Sequence, residues 1–261
     1  MKLSETGRRT ISFPDKYAAF RHHVSLFSSL PGLRGLWTAN HLAANGDWED
    51  WTKYDLMLTA NGTPGFNYSN NLATYISFDG ANDYFSRADE AALDITGTES
   101  HIDTAAQGLT VGGWFWSSDA ANAQYLASKL GAAGNYSWDL AFRADVAGDP
   151  VRFEVTDDGT VLTAVDSAGT MATSVWSFVV GRYCDNNAGE ELAVFLNGVK
   201  TTGVAAEASI FSGNGPFEVG SGNGGTGKFS GAIAVVFLCA AALNDDMIGA
   251  AFQQSRALYG V

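Results

Sequence analysis

Cysteine is nearly missing from this chain: Cys184 and Cys239 are the only two in 261 residues. That count excludes a disulfide scaffold and a four-cysteine zinc site. It leaves one bridge or two buried free thiols, and the second is the expectation, since free cysteine packs as a small hydrophobe. Basic residues are also short, with 15 Lys and Arg against 28 Asp and Glu, a net charge of −13. Such a surface repels phosphate, so neither nucleic acid nor an anionic membrane is expected as partner. No run reaches the ~18–20 apolar residues of a membrane span. Met1-Lys2-Leu3-Ser4-Glu5 opens into polar sequence without an apolar h-region, so no cleavable signal peptide is expected. Proline is sparse, at five residues, whereas 30 glycines suit many tight turns. What is abundant is hydrophobic sequence, 46% of the chain, which excludes a disordered protein. All-β folds of roughly 200–250 residues are commonly one unit, and this length buries a core without staples.

Charge divides the chain. Residues 1–32 hold Lys2, Arg8, Arg9, Lys16 and Arg21 against Glu5 and Asp15, a balance of +3 that leaves −16 for the remainder. Pro14 can open a helix there, Tyr17, Phe20, Val24 and Phe27 recur at helical spacing, and Pro31-Gly32 ends it. Two readings of this arm stand side by side. It covers one end of the body as an amphipathic helix, or it docks on a neighbouring subunit, basic arm to acidic body. His22 and His23 are adjacent, point apart on a helix, and read as surface.

From Leu33 the pattern is β. Ala73–Phe78, Leu109–Trp116, Tyr125–Lys129, Tyr136–Phe142, Val151–Thr156, Val161–Val165, Val175–Tyr183, Leu192–Leu196, Phe217–Val219 and Phe229–Leu238 are rich in aromatic and β-branched residues. Asn197-Gly198 predicts a type I′ hairpin, and Asp158-Gly159 a second, similar one. The strand around Ala232–Leu238 is apolar on both faces, which predicts burial on both sides, beneath a helix or a partner subunit. Helices of the length needed between parallel strands are missing, which excludes a parallel α/β architecture. One helix closes the chain, with Asn244 as N-cap, Asp245 and Asp246 in its first turn and Gly260 at its end.

The ordered motifs carry a resemblance. Gly32-Leu33-Arg34-Gly35-Leu36-Trp37 is followed by Tyr54-Asp55, Asn61-Gly62-Thr63, and Phe78-Asp79-Gly80 with Asn82-Asp83-Tyr84. Then come Leu109-Thr110-Val111-Gly112-Gly113-Trp114, Trp176-Ser177-Phe178-Val179, Phe195-Leu196-Asn197-Gly198 and Gly231–Asn244. In this order they resemble the laminin-G-like, concanavalin A-like lectin/glucanase superfamily, and most of all its LamG type 3 jelly rolls. The resemblance implies an all-β antiparallel jelly-roll β-sandwich over residues 33–261, with an N-terminal arm or helix in 1–32 and a short C-terminal helix. Some members of that family bind calcium through the Asp of the Phe-Asp-Gly motif and acids of a later strand. Asp79, Asn82 and Asp83 would be the calcium candidates here. Ala234-Val235-Val236 stands where the later acids would be, and calcium needs about six to eight oxygens. The expectation is therefore no cofactor, with Asp79-Gly80 serving as a turn.

Catalytic patterns are missing. Related hydrolases carry an E-x-D-x-x-E strand, which this chain lacks; Glu154 with Asp157-Asp158, and Glu190-Glu191, read as solvated charges at strand ends. Gly222–Lys228 imitates the start of a P-loop, but Phe229 replaces the Ser or Thr that would hold Mg²⁺ and a strand follows. No G-x-S-x-G elbow occurs, and His41 and His101 fall in loops. Aromatics remain. Trp48, Trp51 and Tyr54 lie in a long irregular region and are the candidate ligand-binding residues, with core filling as the competing reading for the chain's aromatic rings. The resemblance implies a non-enzymatic interaction protein, displayed on a larger assembly such as a phage particle as capsid decoration or tail component. Protein partners would be met through the arm, the chain being a homo-oligomer or part of a larger assembly, and glycans through the loops. A soluble carbohydrate-binding lectin is the alternative, and a glycoside hydrolase comes third.

Overall fold

The computed structural model describes residues 24–68, 74–99, 106–185, 187, 189–205 and 208–261. Most of the arm, including His22 and His23, lies outside the described residues, as does His101. Residues 24–28 are helical and are labelled α1.

Among the described residues fifteen strands make two antiparallel sheets. In chain order they are β1 (Leu33–Thr38), β2 (Thr59–Asn61), β3 (Gly65–Tyr68), β4 (Thr74–Asp79), β5 (Tyr84–Arg87), β6 (Gly108–Ser117), β7 (Ala123–Leu130) and β8 (Tyr136–Arg143). They continue with β9 (Pro150–Val155), β10 (Thr163–Thr170), β11 (Trp176–Cys184), β12 (Leu192–Leu196), β13 (Val199–Gly203), β14 (Phe217–Val219) and β15 (Ser230–Cys239), and helix α2 (Asp245–Tyr259) follows. The first sheet runs β13-β12-β11-β6-β15-β4-β3, with β1 also paired to β15. The second runs β10-β9-β8-β7-β14-β5-β2. This is the all-β jelly-roll sandwich that the motifs imply.

Alternation sorts side chains between the layers. Val111 and Phe115 on β6, Trp138, Leu140 and Phe142 on β8, and Val151, Phe153 and Val155 on β9 fill the core between the sheets. The outer face of the first sheet is apolar as well. Leu36, Trp114, Phe178, Phe195, Val235 and Phe237 pack there against Phe27 of α1 and Ile248, Phe252 and Tyr259 of α2. Trp114 stacks on Tyr259 with ring centroids 4.1 Å apart and donates its indole N–H to Ser255 Oγ at 2.9 Å. Strand β15 is apolar on both faces because one face meets the core and the other meets the helices. Phe27 stacks on Phe237 at 5.3 Å, so the described end of the arm covers its own sandwich.

Asn197 and Gly198 both have positive φ, 50° and 80°, as a type I′ turn between β12 and β13 requires. The second expected hairpin is different. Between β9 and β10, Asp158 keeps negative φ and accepts the N–H groups of Thr160 and Val161 in a longer loop. Strand β10 begins at Thr163 and leaves Val161 exposed. Cys184 and Cys239 are both buried and free, and burial pushes each thiol's pKa up. Among the described residues no helix is long and apolar enough to cross a membrane.

Candidate functional site

The aromatic region chosen from the sequence is scaffold more than surface. Asp50 is buried and accepts the N–H groups of Leu36 (2.9 Å) and Leu56 (3.0 Å), while Asp47 accepts that of Ala60 (2.9 Å). These bonds fold the irregular chain down onto β1 and β2. Trp48 is fully buried and donates its indole N–H to the Thr38 carbonyl at 2.8 Å. It has no face to offer a ligand, which corrects its selection. Trp51 is half-buried and His41 stacks on it at 3.8 Å, its Nε2 lying 2.9 Å from a Glu49 carboxyl oxygen. Tyr54 is half-buried, with the cations of Arg34 and Lys53 at 4.8 and 5.3 Å from its ring centre. Both rings therefore already have partners from their own chain.

Two of the calcium candidates, Asp79 and Asp83, bind backbone. Asp79 Oδ1 accepts the N–H groups of Ala81, Asn82 and Asp83. Asp83 accepts those of Thr63 and Asp79. The bonds from Asn82 and Ala81 hold the Asp79 carboxyl below its ordinary pKa. Among the described residues no group of three or more His, Cys, Asp or Glu side chains could hold a metal ion. Asp79 and Asp83 thus brace the turn that begins at Asp79-Gly80.

Two cavities among the described residues bear on function. The larger, about 330 Å³, opens at the start of α2 beside Arg182 and Lys200. Its cations serve the fold. Arg182 donates to the Leu243 carbonyl (2.9 Å) and to Asp245 (2.6 Å), and Lys200 pairs with Glu190 (2.6 Å) and Asp245 (3.0 Å).

The smaller, about 220 Å³, is a groove on the outer face of the second sheet, lined by Tyr125, Asp139, Arg143 and Glu154 with Ala123 and Ala141 between them. Register builds it. Tyr125 lies opposite Ala141, Ala123 opposite Arg143, and Asp139 opposite Glu154, all on the face turned away from the core. Both described helices sit on the first sheet, so among the described residues no helix covers this face. Asp139 is 1% exposed, and neither of its carboxyl oxygens meets a donor. Burial first, and then the charge and hydrogen bond of Glu154, drive its pKa well above the usual carboxylate range. These facts agree once a proton is placed between the two carboxyls, since like charges this close do not both ionise. The Tyr125 hydroxyl is pushed up to about 12, by burial and then by the charges of Asp139 and Glu154. Around the rim Arg143 grips Asp145 with two bonds (2.8 and 2.9 Å) and Arg152 grips Asp166 (2.6 and 2.8 Å).

Glu154 is thus not a solvated charge beside a turn, since its side chain is only 17% exposed and faces Asp139 in mid-sheet. The loop that imitates a P-loop joins β14 to β15 and borders the groove. A Cβ at Gly222 or Gly227 would meet the Tyr125 ring at 2.8 or 2.7 Å, so glycine lets the loop lie against that ring.

A family model described as the concanavalin A-like lectin/glucanases superfamily, Laminin_G_3, matches residues 79–249. No curated protein matches the chain in sequence. Among solved structures, the binding domain of Paraclostridial Mosquitocidal Protein 1 is similar with a TM-score of 0.62 at 12% identity, over 85% of this chain and 52% of that one. The binding domain of Botulinum Neurotoxin DC, in complex with SialylT, gives 0.58 at 9%, over 86% and 52%. Domain 4 of AbnA, a GH43 extracellular arabinanase from Geobacillus stearothermophilus, in complex with arabinotriose, gives 0.59 at 14%, over 85% and 99%. The chain therefore spans about half the length of the two toxin binding domains and nearly all of the arabinanase domain. At these identities the likeness is one of fold. With two thirds of the sequence matched by the family model and the jelly-roll sandwich in place, the chain belongs to the Laminin_G_3 family of the concanavalin A-like lectin/glucanase superfamily.

Proposed function

We propose that this chain is a non-enzymatic binding module that holds a glycan in the groove of its second sheet. The observation that carries the reading is the half-exposed Tyr125 ring beside the buried Asp139–Glu154 pair, on the face that no described helix covers. A sugar presents an apolar ring face and a rim of hydroxyls. Tyr125 suits the first, and the carboxyl pair and the rim arginines suit the second. Solved structures of the same fold include domains in complex with arabinotriose and with SialylT, which supports the ligand class. Hydrolysis fits the pair poorly. Related hydrolases carry their paired acids in an E-x-D-x-x-E strand, a motif that this sequence lacks.

The setting in this reading is a larger assembly such as a phage particle, with residues 1–32 as the attachment arm. The arm's +3 against an acidic body supports it. Deleting residues 1–23 should then release the module from its particle or oligomer, and unchanged assembly would remove the idea.

Binding is tested by titrating oligosaccharides while following intrinsic fluorescence. Tyr125→Ala should weaken the saturable response about tenfold or more, which corresponds to ~1.4 kcal/mol. Trp51→Ala and Tyr54→Ala should leave it in place. The opposite pattern would move the site to the loop aromatics and defeat this reading.

A further inference from the structure

The charge of the groove narrows its ligand. Its two nearby cations are committed within the fold, Arg143 to Asp145 and Arg152 to Asp166, each through two hydrogen bonds. The Nη1 of Arg152 reaches toward the pair, 3.6 Å from Glu154, and Arg143 lines the groove from its rim. Lys228 turns elsewhere, over the Tyr84 ring at 5.0 Å and onto the Gly225 carbonyl. Along the same sheet face, Glu218 is buried and faces Ser128 from the neighbouring strand. What remains unbalanced is carboxyl. The Asp139–Glu154 pair holds a net charge of −1 with one shared proton and −2 without it. Asp139 also lines the cavity while 1% exposed, with both oxygens lacking a donor. Oxygens in that state call for a ligand that donates hydrogen bonds.

We propose that the groove selects glycans without negative charge, taking hydroxyl donors of a neutral sugar onto Asp139 and Glu154 and excluding sialic-acid and uronic-acid residues. This rests on the groove being the glycan site. A carboxylate placed about 5–6 Å from the pair meets like charge in a partly desolvated site, which lowers its affinity at least about tenfold.

The test pairs neutral oligosaccharides with their sialylated or uronic counterparts, against the wild-type protein and a set of variants. Wild type should bind neutral members only. Asp139→Asn and Glu154→Gln, made singly, each keep one carboxylate and supply an amide donor in place of the shared proton, so the exclusion should persist in both. The double variant removes the charge and should raise affinity for acidic counterparts at least about tenfold. Salt gives a second readout that needs no variant. Raising ionic strength should narrow the gap between neutral and acidic ligands in the wild type.

Acidic glycans bound by the wild type as tightly as neutral ones, through a site lost in Tyr125→Ala, would overturn the charge selection and leave the glycan reading standing. Glycan binding that survives both Tyr125→Ala and Glu154→Ala would put the ligand elsewhere and overturn the reading of the groove. Wild-type protein that binds no glycan would overturn both.

Discussion

Asp139→Asn should stabilise this protein at neutral pH and leave it unchanged in acid. Asp139 is 1% exposed, its oxygens meet no donor, and its pKa is raised, first by burial and then by Glu154. The charged groups around it are Glu154 and Arg152 on β9, Arg143 on its own strand and Asp166 on β10, with Tyr125 on β7 adding a titratable hydroxyl. An acid with a raised pKa holds its proton longer in the folded chain than in the unfolded one. Its stabilising contribution is complete below the unfolded value of ~3.9 and is lost as pH rises through the window up to the folded value. Each unit of that raise is about 1.4 kcal/mol. Asparagine has no such window, and its amide can donate to Glu154 in place of the proton. Relief of an unsatisfied buried carboxyl is worth about 1–3 kcal/mol, or about 2–12 °C in Tm for a domain of this size. Urea unfolding of both proteins at several pH values between ~4 and ~7 measures the difference directly, and the slopes of carboxylates other than the Asp139–Glu154 pair cancel in it. A difference that stays flat with pH, or a variant less stable than wild type at pH ~7, would refute the shared proton.

Three further outcomes are expected. Lys129, buried among Asp89 (2.7 Å), Asp94 (3.2 Å) and the carbonyls of Gly213 and Gly215, is a buried ion-pair partner. Lys129→Met should cost about 3–5 kcal/mol in urea unfolding, and a loss below ~1 kcal/mol would show the pair to be idle. Gly198→Ala adds a Cβ at φ 80° and 3.0 Å from the Phe252 ring, and should cost about 1–2 kcal/mol by the same measurement. Asp79 has a lowered pKa, so its contribution is present above ~3.9 and lost as pH falls through its folded value. Asp79→Asn should therefore be less stable than wild type at neutral pH and lose less on acidification, and parallel acid-unfolding curves would count against that.

The long strands were legible because their physics is local. Strands β6, β11, β12 and β15 are runs of β-branched and aromatic residues, and Asn197-Gly198 carries its turn type in two letters. Strands β2 and β3 carry no such signal, and β13 is implied only by the hairpin turn before it. Thr59–Asn61, Gly65–Tyr68 and Val199–Gly203 are short and mostly polar, and each is the last strand at one end of its sheet, where pairing on one side replaces burial. The burial of Trp48 was hidden for a different reason. Trp48 attracted notice as an aromatic in an irregular stretch, yet the carboxylates of Asp47 and Asp50 draw that stretch inward and bury it.

Asp139 shows what a sequence hides at such a site. Between Trp138 and Leu140 it reads as the ordinary polar tooth of an alternating strand, and nothing beside it marks it as special. Its environment is set by β9, where Glu154 arrives through a register fixed by the apolar residues on the opposite face. Trp138, Leu140 and Phe142 must lie inward with Val151, Phe153 and Val155, and that requirement forces Asp139 and Glu154 to face each other outward. The same division of faces decides where a ligand can go. The first sheet spends its outer face on Phe27, Phe252 and Tyr259 and so carries the helices, while the second keeps polar teeth on the face it leaves open. The core pattern thus builds the groove as a by-product. A substitution that slipped β9 by one residue would bury Glu154 in the core and dissolve the pair without touching either carboxyl.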